Sequence, residues 1–167
     1  SFKKYVPADL VKELIHQGKE AFLGGEKKNL SVFFSDIAGF TTISEKLKPE
    51  ELVKFLSEYL GTMTKIIHDH KGTVDKYIGD ALMALWFHNG ETVTKQEMMN
   101  IFLALDDLNQ MTKELSQHYP LLFELRIGAG INTGHAMIGN AGSGDQPDYT
   151  ALGDTVNAAF RLESITK

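Results

Sequence analysis

Thr73-Val74-Asp75-Lys76-Tyr77-Ile78-Gly79-Asp80-Ala81-Leu82-Met83-Ala84-Leu85-Trp86-Phe87 decides how the rest of the chain is read. Two strand-like runs, Thr73 to Ile78 and Ala81 to Phe87, flank a Gly-Asp dipeptide, and such a pair between two such runs signals a hairpin. Gly79 supplies the backbone freedom that a tight turn requires, so Asp80 is expected at the hairpin tip. On the N-terminal side, Pro49 suits a first helical position and Glu50 and Glu51 suit the positive end of the helix dipole. Leu52, Phe55, Leu56, Tyr59, Leu60, Met63, Ile66 and Ile67 then form one apolar stripe, ending near Lys71-Gly72. On the C-terminal side, Thr94 to Glu97 reads as a capping box opening a helix with a stripe through Met98, Ile101, Phe102, Leu105, Leu108, Met111 and Leu115, closed by Pro120.

Further out, Leu30 to Phe34 is a compact apolar run ending at Ser35-Asp36, which predicts a buried strand with a carboxylate at its end, followed by a turn at Gly39. Phe123 to Ile131 and Ala136 to Ile138 read as two strands, residues 142–147 as a loop, and Asp154 or Thr155 to Ser164 as a last helix. The order helix, β, α, β, β, α, β, β, α implies an α+β sandwich, a mainly antiparallel sheet covered by helices. Residues 1–29 are expected to be an N-terminal helix and a linker. Leu10, Val11, Leu14 and Ile15 have helical spacing, and Gly24-Gly25-Glu26-Lys27-Lys28 breaks it. Residues 30–167 form the one domain that 167 residues comfortably hold.

Composition narrows the function classes. The chain has no cysteine, which excludes disulfides and thiolate zinc sites and favours a cytoplasmic address for this domain. Its apolar runs are too short for a membrane helix, so no membrane contact is expected in this chain, although the whole protein could be anchored. A net charge of −5 speaks against nucleic acid as a partner, because that needs clustered Lys and Arg. A start at Ser1 without Met suggests a piece of a longer protein, with an upstream regulatory or sensor domain.

Asp36 and Asp80 are the candidate chemical residues: should they meet in space, they make a hard oxygen site suited to Mg²⁺ or Mn²⁺. Taken singly, each has an ordinary explanation, Asp80 as a turn residue and Asp36 as a cap. Their surroundings are Phe34-Ser35-Asp36-Ile37-Ala38-Gly39-Phe40-Thr41, Asp75-Lys76-Tyr77-Ile78-Gly79-Asp80-Ala81, and Tyr149-Thr150-Ala151-Leu152-Gly153-Asp154-Thr155-Val156-Asn157-Ala158-Ala159-Phe160-Arg161. In order and approximate spacing, these three blocks resemble the class III nucleotidyl cyclases, from about Leu30 to Lys167.

The resemblance implies a ferredoxin-like class III cyclase fold and an adenylyl cyclase of the bacterial homodimeric type, turning ATP into cyclic AMP and pyrophosphate. It implies two Mg²⁺ or Mn²⁺ ions held by Asp36, Asp80 and the backbone carbonyl of Ile37, an arrangement suited to in-line displacement at phosphorus. The Gly39-Phe40-Thr41 turn would offer N–H groups to the phosphates. Lys76 and Thr150 would read the base, a donor for adenine N1 and an acceptor for the N6 amino group, where guanylyl cyclases of the family generally carry Glu and a small Cys-like residue. Asn157 would orient the ribose and Arg161, on the same helix face, would meet charge gathering on the α-phosphate. In the family these four residues face the metal acids of the other subunit, so each site is shared across a dimer.

Alternatives are a guanylyl cyclase, or an inert nucleotide-binding or dimerisation module. Gly128, Gly130 and Gly134 do not fit a dinucleotide fingerprint, and His68 and His70 face different ways on a helix. His135 stands where some family members place a phosphate-binding cation. The family usually continues into further strands carrying a Lys for the terminal phosphates, and these are expected to lie beyond Lys167.

Overall fold

A computed structural model of the chain describes residues 23–119, 124–140 and 149–166. The helix expected over residues 7–17, Pro120 and the loop at 142–147 fall outside them. The elements are β1 (Leu23–Ile37), α1 (Phe40–Lys46), α2 (Pro49–Asp69), β2 (Thr73–Ile78), β3 (Ala81–Phe87), α3 (Lys95–His118), β4 (Ile127–Asn140), β5 (Tyr149–Leu152) and α4 (Asp154–Ser164). The strands form one sheet in the order β2-β3-β1-β4-β5, every neighbouring pair antiparallel. The first four strands and the two long helices thus follow the βαββαβ path of a ferredoxin-like fold, as expected.

β1 is central because both of its faces are apolar. Phe33 and Ile37 pack into a core with Phe55, Tyr59, Met63 and Ile67 of α2 and Ile101, Leu108, Met111 and Leu115 of α3. Leu30, Val32 and Phe34 pack on the opposite face against Val156 and Ala159 of α4. Burial on both sides explains why Leu30 to Phe34 reads as an unbroken apolar run instead of an alternating one. Each fully buried Phe or Leu of this kind stabilises the fold by about 1.5–3 kcal/mol.

Five local expectations need correction. β1 begins at Leu23, so Gly24 to Lys28 is strand and not linker: Glu26 pairs with Ile138, Lys27 with Met137 and Lys28 with Ala136. The exposed side chains of Glu26, Lys27 and Lys28 gave no apolar signal, yet the backbone ladder with β4 runs on through them. The two strands expected at 123–131 and 136–138 are one continuous β4 that starts at Ile127; residues 124–126 are not strand, and Phe123 lies outside the described residues. Gly130 and Gly134 break its apolar alternation because α4 lies directly on them: a Cβ on Gly130 would come within 2.3 Å of the Glu163 backbone nitrogen, and one on Gly134 within 2.7 Å of Thr155 Oγ1. Tyr149–Leu152 is a strand, and the turn at Gly39 leads into the short helix α1. In α3, finally, Met98 and Phe102 are exposed while Ala104 and Thr112 are buried, because the sheet and α2 cover only one side of a broad apolar surface.

The capping expectations hold. Thr94 Oγ1 accepts the Glu97 backbone N–H at 3.1 Å and a Glu97 carboxylate oxygen accepts that of Thr94 at 3.0 Å. No helix among the described residues is long and apolar enough to cross a membrane.

Candidate active site

At the C-terminal end of β1 the central strand delivers Asp36 and Ile37 to the edge of the core, and the β2–β3 hairpin delivers Asp80 to the same place. Gly79 takes the left-handed turn conformation, φ 61°, that brings the chain round. Because β1 pairs with β3 up to Ser35↔Leu82, the residues beyond, Asp36 and Ile37, come opposite the hairpin tip. The Ile37 backbone N–H donates to Asp80 Oδ2 at 2.8 Å, fastening the hairpin carboxylate beside the strand end. Both acids are half-buried, and Asp36 Oδ1 is a fully buried oxygen.

Tyr59 of α2 reports the same convergence from below. Burial raises its phenol well above the usual tyrosine value, and the charges of Asp80 and then Asp36 push it further, with Ser35 beside it working the other way. The sequence marked Tyr59 only as a member of an apolar stripe; its hydroxyl is buried in the field of both carboxylates.

A second cluster forms at the rims of the sheet. Lys76 lies on β2 and Thr150 on β5, the outermost strands, which in a flat sheet would stand about 19 Å apart at four spacings of roughly 4.8 Å. Instead Thr150 Oγ1 donates to Asp75 Oδ2 at 2.9 Å, and Lys76 Nζ lies 3.6 Å from the same oxygen. The sheet therefore curls until its rims touch through these side chains. Lys76 and Thr150, singled out by the sequence, are brought together; Asp75, which links them, was missed.

Asn157 and Arg161 lie on α4, the first half-buried and the second exposed. Among the described residues neither side chain forms a hydrogen bond or an ion pair, and nothing ties them to the carboxylates of their own chain. Gly39, φ 68°, precedes α1, and Phe40 and Thr41 form its first turn, next to Asp36 and Ile37 in the chain. His135 pairs with Glu91 at 2.8 Å. It sits opposite Asn29, while Asp36 sits opposite Gly128, so seven residues of β4, about 23 Å, separate it from the carboxylates within one chain.

The donor set at Asp36 and Asp80 fits a hard divalent ion. Among the described residues no group of three His, Cys, Asp or Glu could hold a metal by itself. Two converging carboxylates, one with a buried oxygen, nevertheless suit Mg²⁺ or Mn²⁺, which is commonly held by one or two carboxylates with water and substrate phosphates completing the shell.

Comparison with known proteins identifies the family and the fold. The family model described as the adenylate and guanylate cyclase catalytic domain matches residues 24–167. Adenylate cyclase 1 of Rhizobium meliloti is 35% identical over all of this chain and 25% of its own length, and the adenylate cyclase of Anabaena cylindrica is 34% identical over all of this chain and 34% of its own. The chain thus spans a quarter to a third of these curated relatives. The solved structure of the adenylyl cyclase CyaB from P. aeruginosa superposes with a TM-score of 0.80 at 37% identity, covering 87% of this chain and 76% of that one. That of the guanylyl cyclase Cya2 superposes at 0.75 with 34% identity, covering 87% and 74%. With two carboxylates at the end of the central strand, a curled antiparallel sheet and a family match over nearly its whole length, the chain belongs to the adenylate and guanylate cyclase catalytic domain family.

Proposed function

We propose that this domain is an adenylyl cyclase, converting ATP to 3′,5′-cyclic AMP and pyrophosphate in sites shared between two copies. The observation that carries the reading is the meeting of Asp36 and Asp80, recorded by the Ile37 N–H to Asp80 hydrogen bond. Asp36, Asp80 and the Ile37 carbonyl would hold two Mg²⁺ or Mn²⁺ ions, whose charge, when bound, acidifies the ribose 3′-hydroxyl and neutralises the triphosphate. The 3′-oxygen attacks the α-phosphorus, a new P–O bond forms, the bond to the β-phosphate oxygen breaks with its electron pair leaving on pyrophosphate, and the hydroxyl proton passes to solvent.

The chain's own groups bind and orient. Lys76 donates to adenine N1 and Thr150 accepts from the N6 amino group. Backbone N–H groups of Gly39, Phe40 and Thr41 face the phosphates, Asn157 positions the ribose, and Arg161 meets the charge that grows on the α-phosphate. In this reading Asn157 and Arg161 reach into a partner's site, and that is what makes the homodimer necessary. An upstream regulatory domain fits the greater length of the relatives.

The test is Asp80→Ala beside wild type, assayed with ATP and Mn²⁺. Turnover should fall by about 10³-fold or more while the dimer survives, since two acting groups lose one member. Activity within tenfold of wild type would remove Asp80 from the chemistry. A second reading, guanylyl cyclase, is motivated by the similarity to Cya2 and predicts that GTP outcompetes ATP in the same assay.

A further inference from the structure

We propose that Asp75 is a positioning residue that sets purine preference by fixing which way the Thr150 hydroxyl proton points. The proposal deepens the adenylyl cyclase reading and rests on it. A threonine hydroxyl carries one proton and two lone pairs and turns freely, so by itself it can give a hydrogen bond or take one. Such a group does not distinguish the amino group at adenine C6 from the carbonyl at guanine C6. Here the proton is committed: Thr150 Oγ1 donates to Asp75 Oδ2 at 2.9 Å, and an ionised carboxylate has no proton to give back. What Thr150 can show a base is then a lone pair, which attracts an amino group and repels a carbonyl oxygen.

The backbone is built for this contact. Consecutive residues of a regular strand point to opposite faces, which would keep Asp75 and Lys76 apart. The register of β2 on β3 jumps from Val74↔Ala84 to Lys76↔Met83, leaving Asp75 as the extra residue of a β-bulge. A bulge re-aims side chains, and here both reach one region, with Lys76 Nζ 3.6 Å from Asp75 Oδ2. The Asp75 and Lys76 side chains are 9% and 16% exposed and Thr150 is buried, so water competes weakly for these bonds. The carboxylate oxygen thus fixes one of the two groups assigned to the base by accepting its hydroxyl hydrogen bond, while the ammonium of the other, 3.6 Å away, keeps its N–H donors for adenine N1.

The experiment measures kcat/KM for ATP and for GTP with the intact protein carrying Asp75→Ala, Asp75→Asn, Thr150→Ala, or Asp75→Ala with Thr150→Ala. Asp75→Ala should lower the ATP-to-GTP ratio by roughly tenfold or more, because the freed hydroxyl can turn and donate to guanine O6. Asp75→Asn keeps the shape, accepts more weakly and can itself donate. Its ratio should fall between those of wild type and Asp75→Ala, and it decides the matter should Asp75→Ala fail to fold. In the Thr150→Ala background, removing Asp75 should lower the ratio no further, since Asp75 acts through that hydroxyl. A wild-type ratio in both Asp75 variants, with Thr150→Ala altered, overturns the proposal and leaves the base-reading assignment standing. An unchanged ratio in Thr150→Ala overturns that assignment and the proposal together.

Discussion

Asp36 and Asp80 illustrate what a single side chain can and cannot disclose. Each has an ordinary structural role available to it, and only the bond between Ile37 and Asp80, 43 residues apart, makes them a pair. Glu97 is the opposite case, a carboxylate whose role is structural. It accepts the backbone N–H groups of Thr94 and Asn89 at the start of α3 and lies 3.1 Å from buried His88. Those N–H groups, Thr94 first, hold its carboxyl below the ordinary value of 4.5, with His88 adding to the effect. A carboxyl depressed by folding stabilises the fold above its unfolded value and loses that contribution as pH falls below 4.5 through the folded value. Thermal melts across that window should therefore show a steeper acid loss of Tm in wild type than in Glu97→Gln, and parallel curves would count against the cap.

At the scale of elements, the contact of α4 with β4 controls where Asn157 and Arg161 stand. A methyl on Gly130 would meet the backbone of Glu163 and Ala159 at 2.3 and 2.4 Å, atoms that move only if the helix moves. Gly130→Ala should destabilise the domain by about 1–3 kcal/mol, lowering Tm by several degrees. Gly134→Ala should cost less, because its nearest neighbour at 2.7 Å is the Thr155 hydroxyl on a side chain that can yield. Differential scanning calorimetry of the two variants checks the order, and equal losses would refute it. The same contact explains where sequence reading stopped. Both long helices, the hairpin and the apolar half of β1 were legible because their periodicity and turn chemistry are local. The single β4 was not, because the glycines that interrupt it answer to a helix beginning at Asp154. The polar half of β1 was hidden for a related reason, its pairing being visible only from the partner strand. Of the ten candidate site residues that the motifs supplied, the structure brings Asp36 and Ile37 to Asp80 and Lys76 to Thr150, whereas the place of Asp75 between the last two became visible only with the bulge and the curl.

For the molecule as a whole, the proposed function divides each site between two copies, with carboxylates from one and Asn157 and Arg161 from the other. Mixing Asp36→Asn subunits with Arg161→Ala subunits, each inactive alone, should restore up to about a quarter of wild-type turnover, since half the random dimers are mixed and each holds one intact site. Absence of recovery in mixtures that demonstrably exchange subunits would mean that a site is complete within one chain. The contact of β5 with β2 has a mechanical corollary. Lys76 and Thr150 sit on opposite rims of a bent sheet, so their separation follows its curvature as the gap of a C-shaped spring follows its bend. Any pull that flattens the sheet by a small angle is magnified over four strand spacings into a wider jaw, so under the proposed function a distant tug on either rim would become a change in grip on the nucleobase.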